Sequence, residues 1–148
     1  MKIVCREIET IQEFIDAIRI RVDIFIIEQK GPPGWEPDDL DKNSSHFVAL
    51  VKDEIVGTVR LREDPKGVAK FERMAVTKKY RDRGIGLKLT SFVIGQAKNQ
   101  GCKKIWMQAQ KYTKGLYEKA GFKTTSKPYD LWNLGIRHID MELDLRRL

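Results

Sequence analysis

The stretch FERMAVTKKYRDRGIGLKL, Phe71 to Leu89, runs from an apolar strand segment, Met74 to Val76, through the basic turn Arg81, Asp82, Arg83 and Gly84. It then enters a helix opening at Ile85, Gly86 and Leu87. A helix start leaves backbone N–H groups without intrahelical partners and carries partial positive charge, and glycine removes the Cβ that would hold a phosphate away. Strand, basic turn and helix together predict an anion cradle. The P-loop pattern G-x-x-x-x-G-K-[ST] is missing, and so is the third glycine of a dinucleotide fingerprint, which leaves a different phosphate-bearing ligand.

Upstream of this stretch, His46 to Val51, Ile55 to Leu61 and Val68 to Val76 are β-rich runs separated by Lys52-Asp53-Glu54 and Pro65-Lys66-Gly67, which predicts a three-strand antiparallel meander. Lys2 to Glu7 reads as a first strand. The capping box Thr10-Ile11-Gln12-Glu13 then starts a helix. Its apolar stripe is Ile11, Phe14, Ile15, Ile18, Val22 and Phe25, expected to pack on a sheet with Arg21 at its edge. Gly31-Pro32-Pro33-Gly34 breaks the helix, and the acidic stretch through Asp41 is a loop or contains a short second helix.

Downstream, Ile85, Leu89, Phe92, Val93 and Ala97 form one helical face, and Gly101 stands where a left-handed cap is expected. A strand over Lys103 to Ala109, a short helix from about Tyr112 to Ala120, and strands Phe122 to Ser126 and Ile136 to Leu145 complete the chain. The order is βα, ββ, βαβαββ. This predicts a single α/β (α+β) domain over residues 1–148, with a mixed, mostly antiparallel sheet flanked by helices.

The composition agrees with one folded domain: 148 residues, 41% hydrophobic, three Trp and six Phe supply a single core. No apolar run approaches the roughly 20 residues of a membrane span. The N-terminal residues lack the apolar core of a secretory signal, so a cytoplasmic chain with no membrane partner is expected. Cys5 and Cys102 are the only cysteines and histidines are not clustered, which suggests neither a disulfide framework nor a metal site. The net charge of +7 is unevenly spread. Lys78 to Lys88 holds five basic residues and one Asp, whereas Glu28 to Asp41 holds five acids against Lys30. Two electrostatically different regions are being built.

Met74-Ala75-Val76 followed after four residues by R-x-x-G-x-G resembles the acetyl-coenzyme A motif of the GNAT superfamily of N-acetyltransferases. Leu116-Tyr117-Glu118-Lys119-Ala120-Gly121-Phe122 is similar to that family's F/L-Y-x-x-x-G-F segment, and Gly135 to Met141 resembles the final strand of its small-molecule branch, with a G-x-x-H motif. Gln110 stands where the family commonly has Asn, and Thr113 where Ala is usual. The resemblance implies an acyl-CoA N-acyltransferase fold covering nearly the whole chain. It also implies direct acetyl transfer from acetyl-CoA to a primary amine, without an enzyme-bound acyl group or a metal.

The same resemblance implies roles residue by residue. The pantetheine arm runs along Met74, Ala75 and Val76, where that strand splays from Ile105 to Ala109. The diphosphate sits on the amides from Arg83 to Leu87, with Arg81, Lys78 or Lys79 near the outer phosphates. Gln110, Lys114 and Tyr117 also belong to the cofactor's surroundings, and the basic clustering is accounted for without nucleic acid. Tyr117 matches the acid that protonates the departing thiolate; a phenol keeps its proton at neutral pH.

For the base, His138 lies on the side of its strand opposite Ile139, Met141, Leu143 and Leu145, with Asp140 two residues on and on the same face. Glu72 is its rival, although pairing with an arginine is the alternative for it. Arg73 interrupts an apolar strand with a permanent charge and calls for an anion, either an internal carboxylate or an anionic group on the acceptor. Arg21 and Lys111 are candidates for the same site, and the acidic loop is expected to form its wall. A nucleic-acid module using Trp106, Tyr112 and Tyr117, a protein acetyltransferase and a noncatalytic coenzyme A sensor are the competing readings. A homodimer is compatible with all of them.

Overall fold

Thr10 begins the first helix as its sequence demands: its hydroxyl accepts from the Glu13 amide at 3.1 Å, and the Glu13 carboxylate accepts from the Glu9 amide at 2.7 Å. The computed structural model describes all residues, Met1–Leu148, and no helix in it is long and apolar enough to cross a membrane. In chain order the elements are β1 (Val4–Glu7), α1 (Ile11–Arg21), β2 (Ser45–Val51), β3 (Glu54–Glu63), β4 (Val68–Val76) and α2 (Ile85–Asn99). They continue as β5 (Lys104–Gln110), α3 (Lys114–Lys119), β6 (Lys123–Thr124), β7 (Tyr129–Asp130) and β8 (Arg137–Asp144).

All eight strands join one sheet in the order β1-β2-β3-β4-β5-β8-β6, with β7 also paired to β8. Every pairing is antiparallel except that of β4 with β5. The expected meander is β2-β3-β4. Alternation along β2 divides the core: Phe47, Ala49 and Val51 join Ile85, Leu89, Val93 and Ala97 of α2, whereas Val48 and Leu50 join Ala17 of α1. The two long helices therefore cover opposite faces of the sheet.

The first helix differs from its sequence reading. Ile11 and Ile15 are exposed, and the buried face is Ala17, Ile20, Arg21, Ile24 and Phe25. The chain does not stop at Arg21 but continues in π-helical turns over Val22–Glu28. Arg21 lies at the centre of this face rather than at its edge because carboxylates from the following loop meet it there. That loop contains only a single 3₁₀ turn, Asp41–Asn43. Cys102 is buried, Cys5 is half-buried, and both are free thiols.

Candidate active site

Strand β4 positions the site by changing partners along its length. It pairs with β5 only through Val68, Ala69 and Lys70, opposite Lys104, Ile105 and Trp106. On its other side it stays on β3, but the register slips: Thr58 faces Ala75 and Arg60 faces Glu72, so β4 carries one extra residue. Arg73 falls within this bulge at φ 56°. A bulge bends its strand. The half of β4 beyond it leaves β5, whereas β5 remains paired to β8 as far as Gln110.

The resulting wedge opens into a cavity of 330 Å³ lined by Glu72, Arg73, Met74, Ala75 and Val76 on one side and by Met107 to Gln110 on the other. Arg81, Asp82, Gly84, Ile85, Gly86, Tyr117 and His138 line it too. Most of the residues expected around one ligand thus converge. Arg83, Leu87 and Lys114 are outside its lining, and Lys111 lines an adjacent groove with Arg137.

At the start of α2, Gly84 has φ 82° and no side chain caps the helix, which leaves the first amides available to an anion. A Cβ on Gly86 would stand 3.0 Å from Leu116, so glycine here permits the close approach of α2 and α3. Arg81 is already engaged. Its guanidinium donates to both carboxylate oxygens of Glu28 at 2.8 Å and to the Val76 carbonyl at 3.1 Å. Gln110 is paired reciprocally with Gln29, at 2.8 and 3.1 Å.

His138 is buried rather than exposed on its strand. Its Nδ1 lies 2.9 Å from the Ile136 carbonyl. A carbonyl oxygen only accepts, so Nδ1 carries the proton and Nε2 the lone pair of the neutral ring. Nε2 has no protein partner, yet no enclosed side-chain nitrogen or oxygen lacks one, so this atom opens into the cavity. Burial holds the imidazole below its ordinary pKa, which keeps it neutral. Asp140 does not orient it, because that carboxylate accepts from Tyr129.

Tyr117 is buried against Phe71 and Phe122 but makes no hydrogen bond through its hydroxyl, which by the same reasoning reaches the cavity. Burial raises its pKa and keeps it protonated.

Glu72 is corrected as a candidate base. Arg60 and Arg62 donate to it at 2.5 to 3.0 Å and Lys70 lies 3.1 Å away. Although burial opposes ionisation, these cations win and hold its pKa down to about 2, so it has no appetite for an amine proton.

Arg21 and Arg73 are corrected as binders of an acceptor anion. Arg21 donates to Glu36 and to both oxygens of Asp41 at 2.8 and 3.0 Å, and is 1% exposed. Arg73 donates to Glu36 at 2.6 Å and to Asp38 at 3.3 Å. The internal carboxylate is the partner that Arg73 required. Glu36 and Asp41 of the acidic loop are consequently ion-paired in the interior and Asp38 is partly covered, whereas Asp39 stays exposed. Sequence reasoning missed Arg60, which joins Asp38 and Asp41 to Glu72, and Trp132, whose indole borders the cavity. A charge set between the buried apolar residues Val59 and Leu61 of β3 was the available signal for Arg60; no local signal marked Trp132.

A mixed sheet parted between two parallel strands, with uncapped helix amides at one end of the opening and a neutral imidazole at the other, is the architecture of acyl-CoA N-acyltransferases. Residues 28–145 match the acetyltransferase (GNAT) domain family. The chain belongs to that family and is an acyltransferase. It is 30% identical over 133 residues to YjcF of Bacillus subtilis (strain 168), an uncharacterized N-acetyltransferase, covering 90% of this chain and 94% of that one. A solved chain from Lactobacillus plantarum superposes with a TM-score of 0.86 at 23% identity, over 98% of this chain and 99% of the other. An aminoglycoside 6'-N-acetyltransferase solved with coenzyme A gives a TM-score of 0.77 at 13% identity, over 96% and 97%. These two likenesses concern the fold.

Proposed function

We propose that the protein transfers acetyl from acetyl-CoA directly to the primary amine of a small molecule, with His138 as base and Tyr117 as acid. The observation that carries this reading is the convergence of an unpartnered strand half, free helix amides, an open imidazole nitrogen and an open phenol on one cavity. Backbone groups of β4 beyond Lys70 have no β5 partner, and a pantetheine arm lying beside them would supply one. The first turn of α2, from Gly84 to Leu87, suits a diphosphate; Lys78, Lys79 and Arg83 are exposed beside it.

Acetyl-CoA supplies an activated acyl group and a thiolate leaving group. His138 Nε2 takes the proton from the attacking amine, and its depressed pKa keeps the lone pair available at neutral pH. Backbone N–H groups of the parted β4 stabilise negative charge on the acyl oxygen. Tyr117 donates its proton to the sulfur as the bond to carbon breaks.

The test is thiol release from acetyl-CoA across a panel of primary amines, read beside the shift in melting temperature that acetyl-CoA alone produces. Binding to the folded state raises stability by about 2.7 kcal/mol at one hundred times Kd. Amine-dependent thiol release with such a shift supports the assignment. A shift without release for any amine leaves a coenzyme A binder, and the absence of both refutes the cofactor site.

A further inference from the structure

The inside of the cavity beyond His138 has an unusual balance of groups. We infer that the acceptor, under the reading above, is a primary amine on a compact aromatic or apolar body with no second charge, held against Trp132. Phe25, Leu131 and Trp132 line the cavity, as do Lys70, Glu72 and Arg73.

Each of these three charged residues already has a protein partner. Arg73 is committed to Glu36 and Asp38, and Lys70 to Glu72, itself gripped by Arg60 and Arg62. A further carboxylate or ammonium on the acceptor would lose water and gain no free counter-charge. The apolar groups, in contrast, are organised as a wall. The Trp132 ring meets His138 edge-on at 4.6 Å between centroids, Trp35 at 5.3 Å and Phe25 at 6.3 Å.

The loop presenting Trp132 is fixed from beneath, because the Asp130 carboxylate accepts from the Leu134 and Gly135 amides at 3.3 and 2.8 Å. These donors lower the Asp130 pKa, so the loop keeps its anchor through neutral pH. An indole beside the base favours a flat or greasy body and tolerates an arriving ammonium over its face. Trp132 thus acts as a specificity-determining residue.

The experiment compares 2-phenylethylamine, spermidine and glutamate as acceptors for the intact protein, with acetyl-CoA saturating. The expected result is a kcat/KM for 2-phenylethylamine at least about tenfold above the other two. Trp132→Ala should raise its KM on the order of tenfold with kcat within about threefold, and Trp132→Phe should recover most of the loss. Preference for spermidine or glutamate, no turnover of 2-phenylethylamine despite bound acetyl-CoA, or an unchanged KM in a folded Trp132→Ala overturns the inference. If the alanine variant does not fold, the ranking of the three amines decides alone. These failures leave the acetyltransferase reading standing, whereas loss of the acetyl-CoA melting shift in the unaltered protein brings down both.

Discussion

Two clusters of basic residues flank the cleft, and they use charge in opposite ways. Around the acidic loop, Arg21, Arg60 and Arg73 each bind carboxylates, and Arg21, Arg60 and Glu36 are all buried. In the turn before α2 and in its first turn, Lys78, Lys79, Arg83 and Lys88 are exposed and none forms an ion pair. The first cluster is internal structure: its cations are consumed in tying α1, β3 and β4 to the loop. The second retains an unspent field at a helix start. The comparison teaches that a cation's availability, not its number in the sequence, decides whether it serves a ligand.

The sharpest way to break this contrast is to remove one shared carboxylate. Glu36→Gln leaves Arg21 and Arg73 each short of a buried partner. The expected cost is about 3–5 kcal/mol, or a melting temperature lowered by roughly 10 °C for a domain of this length. Lys79→Glu should stay within about 0.5 kcal/mol of the parent. Equal thermal shifts in the two variants would erase the distinction.

On the catalytic side, His138→Ala should lower kcat by about 10²-fold or more. It should also remove the acidic limb of the pH–rate profile, which is expected below pH 6.5 because the folded pKa lies beneath that ordinary value. Retention of that limb in the variant would assign the base elsewhere. Tyr117→Phe should reduce kcat by roughly tenfold or more while leaving the Kd of acetyl-CoA within about twofold. Unchanged kcat removes Tyr117 as the acid.

A smaller effect sharpens the second cluster. Lys79→Glu and Arg83→Glu should each weaken coenzyme A binding several-fold at low salt and much less at about 1 M salt, where exposed charges are screened. Titration calorimetry at the two ionic strengths measures this. For the first cluster, Asp41 and Glu72 have pKa values held at about 2 by their arginines. A folded-state pKa below the unfolded one contributes stability that is complete above the unfolded value, about 4, and is lost as pH falls towards 2. Acid melting curves should therefore steepen through that window, less so in Glu72→Gln.

The fold was legible where its signals are local. The Thr10 capping box, the turns between the meander strands, and the glycines at 84 and 101 are read from neighbouring residues, and each forms as its chemistry requires. The cavity was legible through the strand-turn-helix stretch for the same reason. Less visible was everything decided by residues distant in sequence. Arg21 and Arg73 meet Glu36 only after the sheet and loop have assembled, so two cations read as ligand-binding are internal instead. The buried face of α1 moved because a helical hydrophobicity template treats Arg21 as polar edge, while two carboxylates make it core. The two-residue strand β7 and the Trp132 loop are too short to carry any periodicity.

The most direct measurement is a crystal structure of the protein with acetyl-CoA. The diphosphate is expected on the amides at the start of α2, near Gly84 and Gly86, with the pantetheine arm against Met74, Ala75 and Val76 and the thioester between His138 and Tyr117. A cofactor bound away from this corner, or β4 and β5 closed against each other beyond Lys70, would contradict the account.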